Sequence, residues 1–154
     1  VVVLGVWYGA GTLVNHPHHL AYFNELGGGP TRGWRLLVDS NLDWGQDLKL
    51  LADYLETAGE EEVRLAYFGP TPPEIYGISG HRPVSRENEL HPEPGFYAVS
   101  ATRLQNLYGF QRSPLRFLWL RNRPPDHQLG YSILIYRISP EEADELARVA
   151  KGRS

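Results

Sequence analysis

The chain opens on fourteen residues, Val1 to Val14, without a single charge, and then changes to a pattern in which apolar positions recur at definite spacings. Leu20, Phe23 and Leu26 follow Pro17 at helical spacing, and Gly27-Gly28-Gly29-Pro30 ends that predicted helix. Trp34 to Val38 is a short apolar run between Gly33 and Asp39, which predicts a buried strand. Leu48, Leu51, Ala52 and Leu55 fall at i, i+3, i+4 and i+7, so an amphipathic helix is expected there, with Gly59 just past its end. Val63 to Phe68 reads as the next strand. Strand, helix and strand together predict a β-α-β unit with a right-handed crossover.

Residues 71–94 hold five of the twelve prolines and several charged side chains, which predicts a long loop acting as a lid or a partner-binding surface. Phe96 to Ser100 predicts a third strand, followed by a short helix through Leu104, Leu107 and Tyr108. Ser113-Pro114 starts another short helix carrying Leu115, Leu118 and Trp119. Tyr131 to Ile138 is the longest strand signal and should be central or covered on both faces. Ser139-Pro140-Glu141-Glu142 is a capping box, and Ala143, Leu146, Ala147 and Ala150 complete a C-terminal amphipathic helix. The expected fold class is α/β: three layers, with a mainly parallel sheet of about four strands and flanking helices.

The uncharged opening is shorter than the roughly 20 residues a membrane helix needs. It also lacks the basic start of a signal peptide. A buried strand, a core helix and the last turns of a transmembrane helix all fit it equally. The sequence contains no Met, and a natural reading frame begins with one, so the chain is expected to be part of a longer protein.

Composition narrows the classes further. A chain of 154 residues with a 42% hydrophobic fraction is long enough for one domain with a real core. The net charge is -3, with acids and bases interspersed, so no footprint for a phosphate backbone exists and nucleic acid is not an expected partner. Zero Cys removes disulfides, thiolate metal sites and Cys nucleophiles together.

The densest candidate chemistry is Asp39-Ser40-Asn41-Leu42-Asp43-Trp44-Gly45-Gln46-Asp47. Two readings stand beside each other. Asp43 with Gln46 three residues on is a capping box that would start the next helix. Alternatively Asp39, Asn41, Asp43, Trp44, Gln46 and Asp47 form a ligand site where a strand hands over to a helix, as open α/β sheets arrange their sites. Asp39, Asn41 and Asp43 match the opening of a calcium loop, but Trp44 replaces the required Gly and Leu50 the bidentate Glu. No metal-ligand set is assigned, and a divalent cation is kept only as a cofactor to test.

Other motifs carry less. His16, His18 and His19 lack the i, i+4 spacing of two ligands on one helix face. Gly27 to Gly29 fits neither phosphate-loop fingerprint and reads as a turn. No G-x-S-x-G elbow is present. Arg112, Arg116, Arg121 and Arg123 form a local basic cluster that could meet a phosphate or an anionic lipid surface but, with Asp and Glu nearby in the chain, reads as a solvated face.

Two stretches, His16-Pro17-His18-His19-Leu20-Ala21-Tyr22-Phe23-Asn24-Glu25-Leu26 and Val38-Asp39-Ser40-Asn41-Leu42-Asp43-Trp44-Gly45-Gln46-Asp47-Leu48, resemble the C-terminal region of bacterial polytopic membrane glycosyltransferases of the protein mannosyltransferase-like family. Fainter similarity lies in Leu65 to Gly69, Gly95 to Ser100 and Gly130 to Ile133. In that family a soluble domain follows the last transmembrane helix outside the cytoplasmic membrane, and the enzyme moves a sugar from a polyprenyl-phosphate carrier to an acceptor. The resemblance implies that residues 1–14 are the truncated end of a transmembrane helix and 15–154 a single extracytoplasmic domain, on the periplasmic side of the cell membrane. The implied partners are the membrane-embedded portion of the same chain and the polyprenyl-phosphate sugar or its acceptor. The family's catalytic acids sit in early loops of the membrane part, so no catalytic residue and no cofactor are assigned to this stretch. The expected role is accessory recognition. The alternatives are an independent small α/β ligand- or metal-binding domain built on the Asp39–Asp43 loop, and a purely structural interaction domain.

Overall fold

The structure is a computed structural model, and it describes residues 1–14, 16–18, 23, 28–36, 43–106 and 115–151, with Pro30 and the last two residues without their side chains. In chain order the described elements are α1 (Val2–Val14), α2 (Pro30–Gly33), α3 (Leu48–Ala58), β1 (Val63–Ala66), a 3-10 turn (Pro73–Tyr76) and β2 (His81–Pro83). Then come α4 (Arg86–Leu90), β3 (Gly95–Ser100), α5 (Ala101–Leu104), α6 (Leu118–Arg121), β4 (His127–Leu129), β5 (Ile133–Ile138) and α7 (Pro140–Lys151). The fold is α/β, around one open sheet of five strands in the order β2-β1-β3-β5-β4.

β3 is central because both of its faces are apolar. Phe96 and Ala98 join a cluster with Leu48, Leu51 and Leu55 of α3, while Tyr97 and Val99 join another with Trp119 and Leu120 of α6 and Ala143 of α7. Successive residues of a strand point to opposite faces, so one strand feeds both clusters. β5 repeats the pattern, with Ile133 and Ile135 on the α3 side and Leu134 and Tyr136 on the other. Leu48 and Leu51 of α3 are completely buried, each contributing about 1.5–3 kcal/mol relative to exposure. Gly59 closes α3 in the left-handed conformation, φ 66°, as its position past the apolar stripe predicts. Ser139 caps α7, its Oγ accepting the Glu142 N–H at 3.2 Å.

The sheet is mixed, where a mainly parallel one was expected. β1 pairs in parallel with both β2 and β3, whereas β5 runs antiparallel to β3 and to β4. Periodicity reports which face is buried and says nothing of strand direction, so it could not reveal the reversal. Two three-residue edge strands, β2 and β4, also escaped the reading, because neither carries an apolar run. Within 71–94 the expected long loop is replaced by the 3-10 turn, β2 and α4, so that stretch belongs to the fold.

Two further expectations change. Trp34 lies in a turn directly after α2, with 35–36, so the run is not a strand over these residues. Positions 37 and 38 lie outside the described residues, and the predicted β-α-β unit lacks its first strand among those described. Pro30 at the start of α2 favours a helical turn there, and Trp34 is buried as a core plug instead. Residues 115–117 form a turn, Phe117 takes φ 52°, and α6 starts at Leu118. Leu20, Leu26, Leu107, Tyr108, Ser113 and Pro114 lie outside the described residues.

α1 differs from every other helix. Its only buried residue is Gly11, and Val2, Val3, Leu4, Val6, Tyr8, Leu13 and Val14 are 65% to 80% exposed. At 13 residues it is about 20 Å long. Among the described residues no helix is long and apolar enough to cross a membrane.

Candidate functional site

The loop 43–47 lies across the carboxyl ends of the parallel strands. Gly45 has φ +77° and its Cα packs on Gly69, just past β1, where a Cβ added to Gly69 would come 2.7 Å from the Trp44 carbonyl oxygen. Only glycine permits this approach. The contact fixes the loop over β1, and the two acids fix it over β3 and β5.

Asp43 is fully buried. Its Oδ1 accepts the Gly45 N–H at 3.2 Å, tightening the turn, while Ser100 at the end of β3 and Thr102 in α5 face the same carboxyl. Oδ2 is sealed from solvent, and among the described residues none lies in hydrogen-bonding geometry to it. Burial pushes the Asp43 carboxyl up to about 6, and the donors from Ser100, Gly45 and Thr102 offset only part of that. Asp47 is 2% exposed and is better served. Ser132, just before β5, donates to its Oδ2 from Oγ at 2.6 Å and from the backbone N–H at 3.3 Å. Burial raises this carboxyl too, opposed by the Ser132 bonds and by His18. His18 Nδ1 lies 4.0 Å from Asp47 Oδ1, and its ring meets Tyr131 edge-on at 5.6 Å. Gly130 presses its backbone against the Asp47 carboxyl so closely that any Cβ there would collide with it.

The capping-box reading is corrected by this geometry. α3 begins at Leu48, its N-cap position is Asp47, and no side chain caps it. Gln46 Oε1 instead accepts the Trp44 N–H at 2.7 Å, so both ends of the supposed box tie down the loop. Of the six candidate ligand residues, Asp43 and Asp47 point inward, Trp44 is 51% exposed and Gln46 is exposed. Asp39 and Asn41 lie outside the described residues. Among the described residues no three His, Asp or Glu side chains converge as a metal cage.

Sequence reasoning missed the partners, Ser100, Thr102, Ser132, Gly69 and Gly130, because they come from up to 85 residues away. His18, the 43–47 loop, Gly69, Ser100, and Gly130 with Ser132 thus meet in one cluster from five separate stretches of the chain.

The basic cluster read from 112–123 is taken apart by the fold. Arg116 Nε sits 2.9 Å from Glu89, which also pairs with Arg103 at 2.9 Å. Arg121 donates to the Leu104 and Arg116 carbonyl oxygens, and Arg123 pairs with Glu142 and Asp126. These three hold loops and helices together instead of forming one solvated face. Arg112 lies outside the described residues.

At the opposite end of the sheet, an open cleft of about 590 Å³ lies between α3 and the 3-10 turn, lined by Asp53, Glu56, Glu60 and Glu61 above Ile78. The fold and site thus define an α/β domain with a polar latch at its strand ends. Comparison with protein-family models, with curated proteins and with solved structures finds no match.

Proposed function

We propose that this chain is the extracytoplasmic recognition domain of a membrane glycosyltransferase that draws sugar from a polyprenyl-phosphate carrier, a three-layer α/β body held at the bilayer by α1. The observation that carries the reading is the surface of α1. A helix that is apolar all round is stable only inside protein or lipid. Seven large apolar side chains of α1 face outward, and their exposure forgoes roughly 10 kcal/mol of burial, at about 1.5 kcal/mol or more each. Seating α1 in lipid, against the membrane-embedded portion of the same chain, recovers that energy.

The latch supplies the recognition surface. Asp43 and Asp47 hold the loop from within and Gln46 Oε1 braces it from the Trp44 N–H, so the half-exposed Trp44 ring stands on a rigid base. An aromatic face of this kind suits a sugar, whose C–H face stacks on it. The domain's task in this reading is to hold the carrier-linked sugar or its acceptor near a membrane active site.

The test uses the intact membrane protein. Replacing Trp44 by Ala is expected to lower sugar transfer about tenfold, the equivalent of roughly 1.4 kcal/mol of lost contact, with the domain still folded by circular dichroism. Unchanged transfer would remove the recognition role. A reading frame with no hydrophobic spans upstream of Val1 would remove the membrane enzyme altogether.

A further inference from the structure

We propose that the carboxyl edge of β1 and β3, with the 43–47 loop, faces and touches the lipid surface, with Trp44 seated at the interface. The inference rests on the reading of α1 as membrane-seated and adds the orientation of the domain.

The first argument is chain reach. His18, packed on Asp47 and Tyr131, is four residues past the end of α1, and four residues span at most about 14 Å. α1 therefore ends beside the 43–47 loop. Whatever medium takes α1 must come close to this edge and lies far from the opposite one.

Charge gives the second argument. At the carboxyl edge the acids of the loop, Asp43 and Asp47, are buried, and the segments that follow β1 and β3, 67–72 and 101–106, contain no Asp or Glu. At the amino ends of the same strands, Asp53, Glu56, Glu61 and Glu62 are exposed. Moving a carboxylate from water to a lipid surface costs free energy, and anionic headgroups add repulsion. The loops over β1 and β3 therefore present no exposed carboxylate to a bilayer, whereas the opposite end of these strands presents several.

Trp44 is the third. It is a large aromatic, 51% exposed, on a loop clamped by the Gly45 and Gly69 backbones and by two buried acids. Indole rings partition to the headgroup region, the depth at which a carrier-linked sugar would lie, so a ring seated there can still stack on that sugar.

The chain has no Cys, so single cysteines give clean probes. Leu4→Cys, Trp44→Cys, Gln46→Cys and Glu61→Cys variants of the whole chain, each carrying an environment-sensitive fluorophore, are bound to phosphatidylcholine vesicles containing some phosphatidylglycerol and doxyl-labelled lipid. The expected result is strong quenching at position 4 and several-fold greater quenching at 44 and 46 than at 61. Position 46 serves as the second probe should loss of the Trp44 ring disturb the loop. Quenching at 4, with 44 and 46 no more quenched than 61, overturns the orientation and spares the membrane seating of α1. Absence of quenching at 4 overturns both.

Discussion

The two ends of the sheet treat acidic side chains in opposite ways. At the carboxyl ends of β1 and β3, Asp43 and Asp47 are turned inward, bonded to Gly45 and Ser132, and pushed toward the protonated form by burial. At the amino ends, Asp53, Glu56, Glu61 and Glu62 stand in water, and Glu62 makes an exposed pair with Arg82 at 2.7 Å. An exposed pair of this kind contributes about 1 kcal/mol or less. Burying a carboxyl costs far more, so the inward acids are there to position backbone, whereas the outward ones keep their end solvated. The difference marks one end as built and the other as merely soluble.

The contrast can be broken most severely at Gly130. A Gly130→Ala substitution drives a methyl group into the Asp47 carboxyl at a positive φ of 54°, and is expected to destabilise the domain by about 3 kcal/mol or more, read by urea unfolding. Asp47→Ala comes next. It leaves the buried Ser132 Oγ and N–H without their acceptor, at an expected cost of about 1–3 kcal/mol in the same measurement.

Asp43 gives a prediction with a sign. Its carboxyl titrates near 6 in the folded chain against 3.8 in its ordinary state, so the folded form holds the proton more tightly. Stability from this group is therefore greatest below about 3.8 and declines as pH rises through 6; above that the penalty is constant, on the order of 3 kcal/mol for two pH units. Asp43→Asn keeps the acceptor for Gly45 and removes the charge. Its unfolding free energy should change less between pH 4 and 7 than that of the parent chain, with the two proteins differing most at neutral pH. A parallel shift at every pH would show that Asp43 does not titrate in this range.

The smallest effect is expected at the other end. Glu61→Gln should alter stability by less than about 0.5 kcal/mol, because the side chain is exposed and no ion pair to it is seen among the described residues. A larger loss would mean that the acidic cleft is also built.

How far the sequence announced this follows from what periodicity can encode. α3 and α7 were legible because each has one apolar stripe with a boundary signal, Gly59 or Ser139. β3 and β5 were legible as uninterrupted apolar runs. β2 and β4 were invisible, since His81-Arg82-Pro83 and His127-Gln128-Leu129 contain too few apolar residues to stand out, and both lie at sheet edges. Trp34 misled because a buried aromatic beside Leu36 resembles a strand, although Leu36 is 63% exposed. The candidate loop was legible as a concentration of polar groups. Its inward acids were not, because burial is set by Ser100, Gly130 and Ser132, which reach it only through the folded sheet.

Hydrogen exchange of the whole chain, in water and on lipid vesicles, tests the central claim most directly. A thirteen-residue helix whose only buried residue is Gly11 is marginal in water, so α1 amides should exchange fast there and slowly on vesicles. The account predicts that lipid adds protection to α1 and to the 67–72 segment at the carboxyl edge, while 60–62 is unchanged. Lipid-induced protection at 60–62, or an α1 that exchanges equally fast with and without vesicles, would contradict it.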